Sequence, residues 1–152
     1  MRIRFAWGVA VAAALAGCGG ASGPSLSAFK AGFGAARVSA TQLGADLGRA
    51  IQTAPQRTNS ELATEFQQLS ARAMREAAQL RSLDPPAKYR TQLSQVIAGF
   101  GTVTSDLHAI SLAASAGDVT TARNSTAKLV DDVTHTRTLD RALTAKLGLR
   151  QS

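Results

Sequence analysis

Residues 83–117, LDPPAKYRTQLSQVIAGFGTVTSDLHAISLAASAG, decide the fold class. After the paired prolines, Tyr89, Leu93, Val96, Phe100, Val103, Leu107 and Ile110 follow one another at intervals of three and four. That spacing puts all seven on one face of an α-helix. Proline at position 85 disfavours the helical conformation at Asp84, so a preceding helix must stop there. Asp84 is then expected to cap the new helix, with Pro85 in its first turn, where the missing N–H costs nothing. At the far end Gly117 suits the left-handed conformation that closes a helix, and Asp118 is a natural cap for the next one.

The same pattern repeats on both sides. From Leu26 to Thr53 the residues Leu26, Phe29, Phe33, Ala36, Ala40, Leu43, Leu47 and Ala50 form an inward stripe. This first helix carries Gly32, Gly34, Gly44 and Gly48, each costing up to ~1 kcal/mol against alanine. Gly44 and Gly48 lie one turn apart, so they either admit a neighbouring helix closely or simply weaken their own. Ala54-Pro55-Gln56-Arg57 ends that helix. Thr58-Asn59-Ser60-Glu61 fits a capping box for a second, with Leu62, Phe66, Leu69, Ala73, Ala77 and Leu80 facing inward. Arg72 and Glu76 are spaced to pair on its outer face. Beyond Asp118, Val119, Ala122, Thr126, Leu129, Val133, Leu143 and Leu147 line a fourth helix that Gly148 stops. Four helices of similar length joined by short connections predict an all-α, antiparallel, up-down-up-down four-helix bundle over residues 26–152.

The N-terminus reads as an address. Arg2 and Arg4 precede an apolar run from Phe5 to Ala16. A helix of that length rises only ~18 Å, short of a ~30 Å hydrocarbon core, so it is a signal segment and not a membrane span. The run ends in Leu15-Ala16-Gly17-Cys18, which resembles the bacterial lipobox: leucine, two small residues, then the cysteine whose thiol takes the lipid. Residues 1–17 are thus expected to be cleaved as a signal peptide. Cys18 becomes the lipidated first residue, and 18–25 a flexible Gly/Ser tether. Cleavage takes two of the 17 basic residues, so the net charge falls from +7 to +5. With its one cysteine lipidated, the mature chain has none for disulfides or thiolate metal sites. The acyl chains would hold the protein on a bilayer almost permanently.

The Leu83-Asp84-Pro85-Pro86 turn, Ala116-Gly117-Asp118 at the next hairpin and Leu147-Gly148-Leu149 at the end together resemble a group of small actinobacterial-type secreted lipoproteins. The resemblance covers the C-terminal half. It implies a helical bundle of unknown function and carries over no catalytic residues.

Chemistry has little foothold in the residues themselves. A carboxylate-bridged metal bundle needs inward glutamates and Glu-x-x-His pairs. The chain has only Glu61, Glu65 and Glu76, and no such pair. A haem held by Met74 and His135 would require both to point inward, and their helical angles turn both outward. Asp131, Asp132 and His135 are spaced to chelate from one helix face, although such a trio more often forms a solvated surface. His108 flanks the apolar stripe and is expected to be a boundary histidine with a satisfied hydrogen bond. Arg72, Arg75 and Arg81 gather on the second helix, where they are expected first to keep the bundle soluble, with contact to phosphate headgroups or an acidic cell-wall polymer as the alternative. The basic residues are otherwise scattered and the address is extracytoplasmic, so nucleic acid is not expected as a partner.

These observations predict a lipoprotein anchored to the outer face of the plasma membrane, or on the periplasmic side in a two-membrane bacterium, and acting without catalysis or cofactor. Its first expectation is an interaction or scaffold module meeting an envelope protein or polymer. The second is a carrier holding a small apolar or lipidic molecule between helices, for which the small residues of the first helix leave room. Cavity volume separates the two: a carrier needs about 300 Å³ or more.

Overall fold

The computed structural model describes residues 25–150. The signal segment, Cys18 and the tether as far as Pro24 lie outside them, as do Gln151 and Ser152. The described residues form a bundle of four long helices and no strands: α1 (Leu26–Thr53), α2 (Asn59–Arg81), α3 (Arg90–Ser115) and α4 (Val119–Leu147).

The ends of these helices follow from local chemistry. Ser25 caps α1, its Oγ accepting the Ala28 N–H at 3.4 Å. At the start of α2 the capping box is complete: Thr58 Oγ1 accepts the Glu61 N–H, and the Glu61 carboxylate accepts the Thr58 N–H at 2.8 Å. Asp118 caps α4 by accepting the Thr121 N–H at 3.0 Å. Gly117 (φ 68°) and Gly148 (φ 65°) take the left-handed conformation that closes α3 and α4, which any residue with a Cβ adopts at a cost.

One terminus differs from expectation. Asp84 does not cap α3, and Pro85 is not its first residue. Leu83 to Pro86 run without helix, a single 3₁₀ turn spans Ala87–Tyr89, and α3 starts at Arg90. The reason is the second proline. Pro86 pushes Pro85 out of the α region just as Pro85 does Asp84, so the chain stays extended until Pro86 (φ −53°, ψ 147°) is passed.

Two clusters make the core. Phe29, Phe33, Leu80, Tyr89, Leu93, Val96, Leu143 and Leu147 fill the end nearest the α1 N-terminus. There the Phe29 and Tyr89 rings stack with centroids 5.9 Å apart. Leu43, Leu47, Phe66, Leu69, Val103, Leu107, Ile110 and Leu129 fill the other end. Each fully buried leucine or phenylalanine contributes roughly 1.5–3 kcal/mol. The predicted stripes hold except at two helix starts, where Leu26 and Val119 are exposed.

Packing is uneven around the bundle. Backbones approach most along α2–α3 and α3–α4, less along α1–α2, and hardly at all between α1 and α4. Buried hydroxyls stitch the tight seams: Ser70 Oγ donates to the Thr104 carbonyl at 3.1 Å, and Ser111 Oγ to that of Ala63 at 2.8 Å. At the α3–α4 contact Gly99 faces Thr136, where a Cβ would lie 2.5 Å from Thr136 Oγ1. By length and apolarity alone α3 is capable of crossing a membrane, yet half of its most apolar stretch is buried within the protein.

Candidate functional site

The weak seam between α1 and α4 opens into a cleft of about 410 Å³. Its floor is apolar: Leu43 and Leu47 from α1, Phe100 and Val103 from α3, Val133 from α4. Its rim is charged, with Arg37 on one side and Arg137, Asp140 and Arg141 on the other. The small residues of α1 make the opening. Ala40 reaches no farther than its Cβ, and over Gly44 the space is taken by the Arg137 side chain from α4.

The charged groups are not equivalent. Arg37 Nε donates to Asp140 Oδ2 at 3.1 Å, and its Nη1 donates to the Arg150 carbonyl at 3.2 Å. The Arg37 side chain is only 15% exposed, so this pair is a clasp that ties α1 to α4 at one end of the cleft. Arg137 crosses the gap farther along, its guanidinium lying where a Cβ on Gly44 would be, 2.9 Å from Nη2. Arg137 and Arg141 form no ion pair among the described residues. One helical turn apart, they bring to the cleft two guanidinium groups that lie outside any ion pair of the described residues.

A second cavity of about 380 Å³ lies at the opposite end, under the turns that join α1 to α2 and α3 to α4. Ile51, Leu62, Phe66, Ile110 and Val119 line it. Its charged groups are Asp118, committed to capping α4, and Arg123, so it has no net charge and few free polar groups.

The residues singled out from sequence are placed as follows. Arg72 does not pair with Glu76; it reaches α1 and binds Asp46, which also binds Arg49. Asp46 sits across the tighter α1–α2 seam, and the two guanidinia, Arg72 first, hold its carboxyl below the ordinary range. Glu76 is instead half-buried, with one carboxylate oxygen unpartnered, and burial pushes its carboxyl up. Arg75 and Arg81 are exposed on α2. The local basic group there is thus smaller than the sequence suggests, because an acid from another helix takes one member.

On α4, Asp132 pairs with Lys128 at 2.6 Å, while Asp131 and His135 are exposed. Among the described residues no group of three potential ligands is placed to hold a metal. Lys128 Nζ also donates to Asp106 Oδ1 at 2.7 Å, joining α4 to a carboxylate that is 6% exposed. Burial raises the Asp106 carboxyl, while the Lys128 ammonium holds Asp132 down. Met74 is exposed and so is His135, as their helical angles require. His108 is exposed too, and it makes no hydrogen bond among the described residues, contrary to the expected boundary contact. Gly48 has open space around it, and at Gly44 an arginine side chain approaches where a helix backbone was one alternative.

The sequence led to an expectation of room beside the small residues of α1, but not that the room opens between α1 and α4. Its signal was present in the row of small residues along α1 opposite Arg137 and Arg141, but locating it requires knowing which two helices pack least closely. Comparison with family models, with curated proteins and with solved structures finds no match.

Proposed function

We propose that this protein is a membrane-anchored, extracytoplasmic carrier that holds a small lipidic molecule between its first and last helices and performs no catalysis. The observation that carries this reading is the cleft of about 410 Å³ between α1 and α4, within the ~300–1,000 Å³ of small-molecule sites. Of the two sequence expectations, a scaffold needs no such opening and a carrier does. The charged groups of the cleft support binding over turnover. They are arginines and a clasped aspartate, and the cleft hydroxyls, Thr41 and Thr136, donate to carbonyls of their own helices and not to a base.

The wider architecture belongs to the same proposal. Across the seams, Asp46 meets Arg72 and Gly32 meets Leu83; Ala63 meets Ser111 and Ser70 meets Thr104; Gly99 meets Thr136 and Asp106 meets Lys128. In each seam, rising numbers on one helix meet falling numbers on the next. This supports the antiparallel up-down-up-down arrangement, with α4 returning beside α1. The signal peptide over residues 1–17, lipid on Cys18, attachment to the outer face of a membrane and kinship with small secreted lipoproteins rest on the sequence motifs. An envelope protein or polymer is a partner the surface arginines Arg75 and Arg81 would suit, and nucleic acid is not.

Native mass spectrometry of the full-length protein, drawn from its host membrane in mild detergent, tests both parts. The expected species is a processed, acylated monomer retaining an additional small mass. A processed protein that never carries a second molecule, even after incubation with host lipid extract, overturns the carrier reading. An unprocessed mass without lipid overturns the anchor.

A further inference from the structure

We infer that the α1–α4 cleft selects a single-chain amphiphile with an anionic head, a carboxylate or a phosphate, and that Arg137 and Arg141 receive it. The inference rests on the carrier reading and specifies its ligand.

Polarity is distributed unevenly along the cleft. Arg37 on α1 pairs with Asp140 on α4, and Gly44 faces Arg137, so the arginines and Asp140 collect toward one end. Past Gly44 the lining turns apolar, through Leu47, Val103 and Val133. Leu47 and Val103 belong to the buried core, and Val133 packs against it. A ligand matching this gradient has a charged head and an alkyl tail, aligned with the helices.

Charge fixes the sign of the head. Three guanidinium groups against one carboxylate leave the lining at +2, and the single acid is already held by Arg37. A cationic head would meet Arg137 and Arg141 with no acceptor to offset them. A neutral head would leave both exposed guanidinia hydrated as before and gain no charge-assisted bond from them. A carboxylate or phosphate satisfies them by charge-assisted, two-pronged hydrogen bonds, the geometry for which arginine is suited. Gly44 contributes by absence: with no Cβ beneath it, the Arg137 guanidinium can lie down into the opening. The second cavity has one guanidinium, Arg123, beside the carboxylate of Asp118, and so lacks the paired arginines and the net positive charge of the first.

The test uses the processed protein in phosphatidylcholine nanodiscs. It is incubated with equal amounts of dodecanoate, 1-dodecanoyl-lysophosphatidate and 1-dodecanoylglycerol, and retained masses are read by native mass spectrometry against empty discs. Retention of one or both anionic ligands exceeds that of the glyceride by on the order of tenfold or more, and the favoured head identifies the source, a free fatty acid or a lysophospholipid. In the double variant Arg137→Gln and Arg141→Gln that preference disappears while glyceride retention is unchanged. Both residues are exposed, and an unaltered melting temperature confirms that the fold survives. Equal retention of all three, insensitive to the double variant, overturns the anionic selection and leaves the carrier reading standing. Retention of none overturns both.

Discussion

Gly99 shows how much a single position decides. Alanine is the better helix former by ~1 kcal/mol, so on α3 alone Gly99→Ala would stabilise. Against α4 it does the reverse, because the new Cβ meets Thr136 Oγ1 at 2.5 Å and Cβ at 3.1 Å, and overpacking of that kind costs ~1–3 kcal/mol. Gly99→Ala is therefore expected to lower stability in urea denaturation, and adding Thr136→Ala to recover most of the loss; a double variant as weak as the single one would mean that the close contact is not the cause. Asp106 is the second case. Burial raises its carboxyl, so folding disfavours the charged form, and the associated penalty is present at neutral pH and relieved as pH falls into the ordinary carboxylate range. Asp106→Asn should melt higher than the parent at pH 7, with the advantage shrinking toward pH 4. A variant that melts lower at pH 7 would show that the Lys128 contact outweighs desolvation. Neither residue's role is legible in sequence. Only the facing residues on α4, Thr136 and Lys128, give them meaning.

At the scale of the element, sequence is most informative where structure is most local. Thr58 and Glu61 are three residues apart, and their reciprocal bonds need no other part of the chain. The same holds for Asp118 and for the glycines after α3 and α4. Thr58→Ala should cost ~1 kcal/mol in equilibrium unfolding, with the loss confined to the start of α2. The box also has a pH signature. The Thr58 N–H, first, and its hydroxyl hold the Glu61 carboxyl below its ordinary value. A depressed carboxylate stabilises above the unfolded value and loses that contribution as pH falls through the folded one. Stability should decline below about pH 4 with a steeper slope in the parent than in Glu61→Gln; equal slopes would remove Glu61 from the acid response. Where two local rules compete, pattern reading chooses wrongly. Asp84 and Pro85 make a good helix start in isolation, but Pro86 forbids it and delays α3 to Arg90.

Across the whole molecule the seams differ, and the cleft lies in the weakest. The apolar stripes made four helices readable, since each is a property of its own segment, but stripes do not say which pair of neighbours will fit poorly. That outcome depends on volume. The α1 stripe includes Ala36, Ala40 and Ala50, with Gly44 beside it, so α1 brings less bulk to the core than α3 brings with Val103, Leu107 and Ile110. With α3 held on both sides, the shortfall collects between α1 and α4, where the Arg37–Asp140 clasp is the main polar tie. A helix with few close neighbours opens at lower cost than the bundle as a whole. Native-state hydrogen exchange should therefore find the amides near Leu43 and Leu47 opening at a lower free energy than those near Val103 and Leu107. Arg37→Gln should widen that gap by unfastening one end of the cleft, and a bound amphiphile should narrow it by joining α1 to α4 through the shared floor. Uniform protection across α1 and α3 would mean that α1 is integral to the core, and that a ligand must enter through side-chain motion at the rim without any parting of the helices.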